Sequence, residues 1–184
     1  MYLWYNSLKS KVELRIALAL CTSKKMNPFN NIVGKRISKI QRIDNQVDYE
    51  FYSPYSLILT LEQLEEKLVL TATNDGTSAD LRLSNDIDIE RDFGLEFNES
   101  VLNDLKPEDE LNQLNNQKIE EIRIAEFIET KIQGDGFSIK QGKIAGIELK
   151  TEKNKILFRN NYGGWFDIDD DVVELPNPNR WKWK

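Results

Sequence analysis

Polar and apolar positions alternate with period two through much of this chain. Leu57, Leu59 and Leu61 fall on one face of an extended segment with Thr60 on the other. Ile147 and Leu149 likewise share a face opposite Glu148 and Lys150. This alternation predicts antiparallel strands with one solvated side. Polar runs at 62–66 and 151–154 have the length of hairpin loops. Asn74-Asp75-Gly76 and Gly163-Gly164 supply residues that tolerate positive φ, so tight turns are predicted there.

The pattern occurs twice. Residues 57–83 and 147–171 both read as strand, polar turn, strand, Gly-containing turn, strand. Lys67-Leu68-Val69-Leu70 matches Lys155-Ile156-Leu157-Phe158 at a spacing of 88, which also sets Leu59 and Leu61 on Ile147 and Leu149, and Gly76 on Gly164. After one gap Asp80-Leu81 falls on Asp167-Ile168; upstream, Arg36-Ile37 and Ile40 match Lys118-Ile119 and Ile122 at a spacing of 82. Self-similarity at a fixed spacing is an architectural signal. A lone hairpin is marginal in water, so two copies are expected to pack their apolar faces together. The predicted fold is α+β and mainly antiparallel β: two tandem hairpin or meander repeats, an N-terminal helix and a short helical acidic connector.

The remaining segments fill in that frame. Residues 1–25 are expected to form a helical extension, with Ser7 as cap and Leu8, Val12, Ile16 and Ala19 as its packing stripe. Met26 as an alternative start would make them an added segment. Glu13 and Arg15 interrupt the apolar run, which is too short for a membrane span. Leu20 stands where a lipoprotein cleavage box before Cys21 needs a small residue. The first repeat is assigned to 26–86, the connector to 87–114 and the second repeat to 115–184, with 26–184 as one compact domain. Asn98 is expected to cap a helical turn through Leu105, and Pro107 to start a second turn. Gly134, Gly136 and Gly142 bracket a short strand over 137–140. Trp181 and Trp183 are expected to lie on one face of a terminal extended segment that covers a sheet edge.

Charge then narrows the chemistry. Thirty-one acids against twenty-five bases give a net charge of −6, which argues against a general nucleic-acid binder. Residues 86–110 hold ten acids against Arg91 and Lys106, a local charge of −8. Apolar residues such as Ile87, Phe93 and Leu102 run through this stretch, so it has anchors that a disordered acidic tail lacks. A single cysteine, Cys21, excludes an intramolecular disulfide and fits a reducing, cytoplasmic compartment. Histidine is absent, which removes the commonest general base and zinc ligand. Asp167, Asp169, Asp170 and Asp171 invite comparison with a calcium loop, but Val172 and Pro178 occupy the Gly and Glu positions of that pattern.

No cofactor, metal or catalytic set is therefore expected. The function expected is that of a non-catalytic acidic binding module, an immunity-type inhibitor of a cationic toxin such as a nuclease, whose grip on phosphate requires positive charge. Partner-binding candidates are Asp86, Asp88, Glu90, Asp92, Glu96, Trp165, Asp167, Asp169, Asp170 and Asp171. Nucleic acid and membrane are not expected as partners. Two alternatives stand beside this reading. One is a carboxylate-dependent hydrolase using Asp75, Asp80, Asp167 and Asp169, which needs two of them to converge in a cleft. The other is a structural adaptor that dimerises through sheet edges or its N-terminal helix.

Overall fold

A computed structural model of the chain describes residues 28–45, 56–73, 77–87, 100–128, 131–132, 138–139, 141–160, 164–168 and 181–184. The chain divides into two units, Met1–Asn31 and Ile32–Lys184. In the first, the described part is a 3-10 helix, Pro28–Asn31. The helix expected within 1–25 lies outside the described residues.

The second unit is mainly antiparallel β. Strands β1 (Ile37–Asn45), β2 (Ser56–Leu61), β3 (Lys67–Ala72) and β4 (Ala79–Ser84) form a meander, and β5 (Ser100–Asp104) returns to pair with the free edge of β1. β6 (Ile119–Phe127) follows, then a small separate hairpin of β7 (Lys131–Ile132) and β8 (Ser138–Ile139). β9 (Ile144–Thr151) pairs with β6 and with β10 (Lys155–Asn160), and β10 pairs with β11 (Gly164–Ile168). Finally β12 (Trp181–Trp183) returns to the other edge of β6. One bridge between Ala79 and Ile144 joins β4 to β9, so the ladder runs β11-β10-β9-β4-β3-β2-β1-β5, with β6 and β12 branching from β9.

Alternation places Leu57, Leu59, Leu68 and Leu70 on one face of the first meander, and Ile147, Leu149, Ile156 and Phe158 on one face of the second. All eight are at most 1% exposed, and β10 lies against β3 and β4. Burying each such side chain contributes about 1.5–3 kcal/mol, so these two faces are the main source of stability. Asn160, 3% exposed, ties the layers through Nδ2, which donates to the carbonyls of Thr73 (2.8 Å) and Ser78 (2.6 Å).

The other face is drier than its alternation implies. Ile43, Ile58 and Val69 are buried there beneath Ile87 and Leu102. The Ser56 and Thr71 hydroxyls, also buried, satisfy each other. In the second meander Ala125, Phe127, Ala145 and Leu157 form the matching cluster, covered by Trp181 and Trp183. The terminal Trp-Lys-Trp segment is thus an edge strand whose indoles close a small core. Arg123 lies over the Trp183 ring at 4.6 Å, and the two indoles meet edge to face.

The helical turn expected through Leu105 is absent: Ser100–Asp104 is strand β5. The edge of β1 offers unpaired backbone groups, and Leu102 gains a place over Ile43. Those tertiary terms outweigh a local capping preference. Among the described residues of the connector, the helical element is the 3-10 helix Glu110–Leu114, capped by Asp109 rather than started by Pro107.

Ahead of β1 and β6 the chain crosses itself. Ile37 N–H donates to Gln117 O (2.9 Å) and Ile119 N–H to Lys35 O (2.8 Å), around an antiparallel bridge between Arg36 and Lys118. Flanking these, Gly34 N–H donates to Ile119 O and Asn116 N–H to Ile37 O, both at 2.8 Å. Gly34 (φ +90) and Asn116 (φ +63) take left-handed conformations to turn into the crossing. A Cβ on Gly34 would meet nothing nearer than Lys118 Cε at 3.8 Å, so conformation rather than space restricts this position. Gly34→Ala should therefore cost about 1–2 kcal/mol in urea unfolding, and Gly34→Asn clearly less. Equal losses for the two variants would contradict the conformational account.

Candidate functional site

Ten acidic-surface residues were expected from the sequence, and the described residues locate three. Asp86 is exposed just beyond β4, where its carbonyl accepts from Ser84 Oγ at 2.6 Å. Trp165 and Asp167 lie on β11, in register with Arg159 and Leu157 of β10. In the ladder β9 and β10 intervene between β4 and β11, so Asp86 and the β11 pair do not share a strand pairing. Asp88, Glu90, Asp92, Glu96, Asp169, Asp170 and Asp171 lie outside the described residues. Of the hydrolase candidates, Asp80 sits on β4 in register with Thr71, Asp167 is on β11, and Asp75 and Asp169 are outside the described residues. Among the described residues no group of three or more Asp, Glu or Cys is arranged to hold a metal ion. No described helix is long and apolar enough to cross a membrane.

The acidic stretch contains one carboxylate of a different kind. Asp109 accepts from Leu111 N–H (3.0 Å), capping the 3-10 helix, and pairs with Arg42 of β1 at 2.7 Å. The side chains are 10% and 14% exposed, the least exposed ion pair among the described residues. The Arg42 guanidinium also lies 6.0 Å from the Phe166 ring of β11. Asp109 is one of the ten acids of residues 86–110, and nothing local marks it as the partner of a residue 67 positions away. By contrast Asp86, Glu108 and Glu110 are exposed and make no ion pair.

A second polar feature lies at the strand crossing. Gly34, Lys35, Arg36, Glu62, Gln63 and Lys118 line an open notch of about 260 Å³. Gln63 is held at φ +59 in the β2–β3 loop. Arg36 Nη1 donates to the Asn116 carbonyl and to Glu152 Oε2 (3.2 Å), and Lys118 N–H reaches the same oxygen at 3.3 Å. The hydrogen bond from Lys118 N–H, with the Arg36 charge beside it, holds the Glu152 carboxyl below its ordinary range. At the β5 edge, side-chain hydrogen bonds from Lys39 and Gln41 do the same for Asp104.

Comparison with known proteins gives no relative: no family model, no curated protein and no solved structure matches this chain.

Two measurements test these electrostatics. Asp109→Ala removes the helix cap and the carboxylate paired with Arg42, so unfolding free energy should fall by about 1–2 kcal/mol. Asp109→Asn keeps an acceptor for the cap and should lose less. Glu152 and Asp104 have lowered folded pKa values, so their contributions are complete above the unfolded values near 4.5 and 3.8 and vanish as pH falls through the folded ones. A Glu152→Gln/Asp104→Asn double variant should lose less melting temperature than the parent chain below about pH 4.5. Parallel curves would show that neither carboxylate matters to acid stability.

Proposed function

We propose that this chain is a non-catalytic protein-binding module, built by doubling one five-stranded unit, which neutralises a cationic protein by direct contact. The doubling is supported by strand registers. Ile37 pairs with Leu61 and Ile119 with Thr151, and in both strands a bulge follows at once. Ser56 opposite Thr71 has its counterpart in Gly146 opposite Arg159, and Leu70 opposite Leu81 in Phe158 opposite Phe166. Leu102 opposite Ile43 corresponds to Trp183 opposite Ala125. Constant offsets of 82, 90, 88, 85 and 81 residues carry β1–β5 onto β6, β9, β10, β11 and β12. These registers shift two of the sequence matches by two residues, giving Leu59 the counterpart Leu149 and Leu81 the counterpart Phe166. The shorter loop between β9 and β10 accounts for the first shift. Among the described residues two 3-10 helices, Pro28–Asn31 and Glu110–Leu114, start 82 residues apart along the chain.

The binding role rests on one observation: exposed carboxylates with no counter-ion in a region of concentrated negative charge. Asp86 precedes and Glu108 and Glu110 follow the return strand β5 along the chain, within the stretch that carries −8. Unpaired surface charge of one sign contributes little to folding but raises encounter rates with a partner of opposite sign. A nuclease effector is the cationic class that fits, because phosphate binding obliges it to be basic. In the same reading the protein acts in the cytoplasm and binds neither membrane nor nucleic acid.

The test is binding to the product of the adjacent gene, followed by stopped-flow or biosensor kinetics. A tight complex is expected, with an association rate that falls as salt rises. Reversing charge at Asp86, Glu108 and Glu110 together should slow association by about tenfold while dissociation changes less. Salt-independent association, no complex, or turnover of a small molecule by the chain alone would overturn the proposal.

A further inference from the structure

We propose that the notch at the strand crossing is a binding site for a phosphate group, carried by a small phosphomonoester. Its lining sets three cations, Lys35, Arg36 and Lys118, against Glu62, with Glu152 beside it paired to Arg36, in a chain whose net charge is −6. Arg36 is fixed by Glu152 and the Asn116 carbonyl, whereas the Lys35 and Lys118 ammonium groups are in no ion pair. Two unpaired ammonium groups beside an anchored guanidinium match a dianion in charge. Glu62 and Glu152 offset part of this positive charge and leave an excess of one. A bound anion balances that excess.

The second half of the molecule shows what this place looks like when closed, a comparison that rests on the doubling proposed above. There the position of Lys35 is taken by Gln117, 6% exposed. Gln117 Nε2 donates to Gln113 O and Asn154 Oδ1, while its Oε1 accepts from Thr151 Oγ1 and from Lys153 N–H at 3.1 Å. Residues 152–154 form a three-residue loop that seals the network. In the first half the loop over 62–66 is two residues longer, Leu61 replaces Thr151, and Lys35 replaces Gln117. No side chain of the described residues fills the equivalent space, and the notch remains. Lys118 passes over Gly34 on its way to the rim, since the nearest atom to a Cβ at that position is its Cε. The absence of a side chain at Gly34 thus keeps the floor low. With about 260 Å³ the notch has room for more than a bare tetrahedral ion, and Glu62 is placed to accept a hydroxyl from the alcohol portion of an ester.

Two-dimensional amide NMR of the full-length chain tests this, with separate additions of inorganic phosphate, glycerol phosphate, acetate and chloride at matched ionic strength. Saturable shifts centred on residues 34–36, 62–63 and 118 are expected with both phosphates, tighter for the ester, and weak or unsaturable shifts with acetate. Lys35→Gln and Lys118→Gln should each weaken phosphate binding by about tenfold, and Glu62→Gln should tighten inorganic phosphate. Both lysines are solvent-accessible, so their variants should stay folded, which the same spectra report. Shifts equal to those with chloride, or undiminished in Lys118→Gln, would overturn the site. Acetate binding as tightly as phosphate would replace phosphate by a carboxylate group and refute the assignment. Neither result touches the partner-binding proposal, which uses Asp86, Glu108 and Glu110.

Discussion

The reciprocal crossing of Lys35–Ile37 with Gln117–Ile119 is the constraint on which the second unit depends. Four backbone hydrogen bonds of 2.8–2.9 Å fix where β1 and β6 begin. Once those starts are fixed, the direction of each meander and the faces they bury are fixed too. Two residues in left-handed conformations allow the chain to enter and leave the crossing, and one is glycine. An exposed ion pair, Arg36 with Glu152, is laid over it. Such a pair contributes little alone, and the backbone exchange is the stronger element.

Around that crossing each meander solves the same problem twice. A single sheet of four short strands has two apolar faces to cover. One faces the other layer, with Leu57, Leu59, Phe158 and Ile147 essentially without solvent contact. The second is covered by the chain's own return, Leu102 on one side and Trp181 with Trp183 on the other. The return strands also pair the exposed edges of β1 and β6, which would otherwise be open to aggregation. Edge protection and core closure are achieved by the same residues.

The acidic composition divides along structural lines. Asp109 is consumed by architecture, as helix cap and counter-ion to Arg42. Asp104 is held by Lys39 and Gln41 at the β5 edge. Asp86, Glu108 and Glu110, in the same acidic stretch, have no such employment and are exposed. Counting acids in a sequence cannot separate these groups, because the distinction is set by what lies opposite each carboxylate in space.

Period-two alternation in residues 57–61 and 147–149, with the turn residues between, was sufficient to predict antiparallel strands, because side-chain direction in a strand is a local property. The use of the C-terminal tryptophans as cover for an edge was legible for the same reason. Register was not, since a two-residue difference in loop length preserves the face and leaves no trace in alternation. Residues 100–104 were also misjudged from sequence. Asn98 and the surrounding acids favour a helical turn locally, but the vacant edge of β1 and the pocket over Ile43 are created by residues more than fifty positions earlier. The notch at Gly34, Lys35, Arg36 and Lys118 belongs to the same class. Lys118 stands more than eighty positions from the others, and only the backbone crossing brings their charges together.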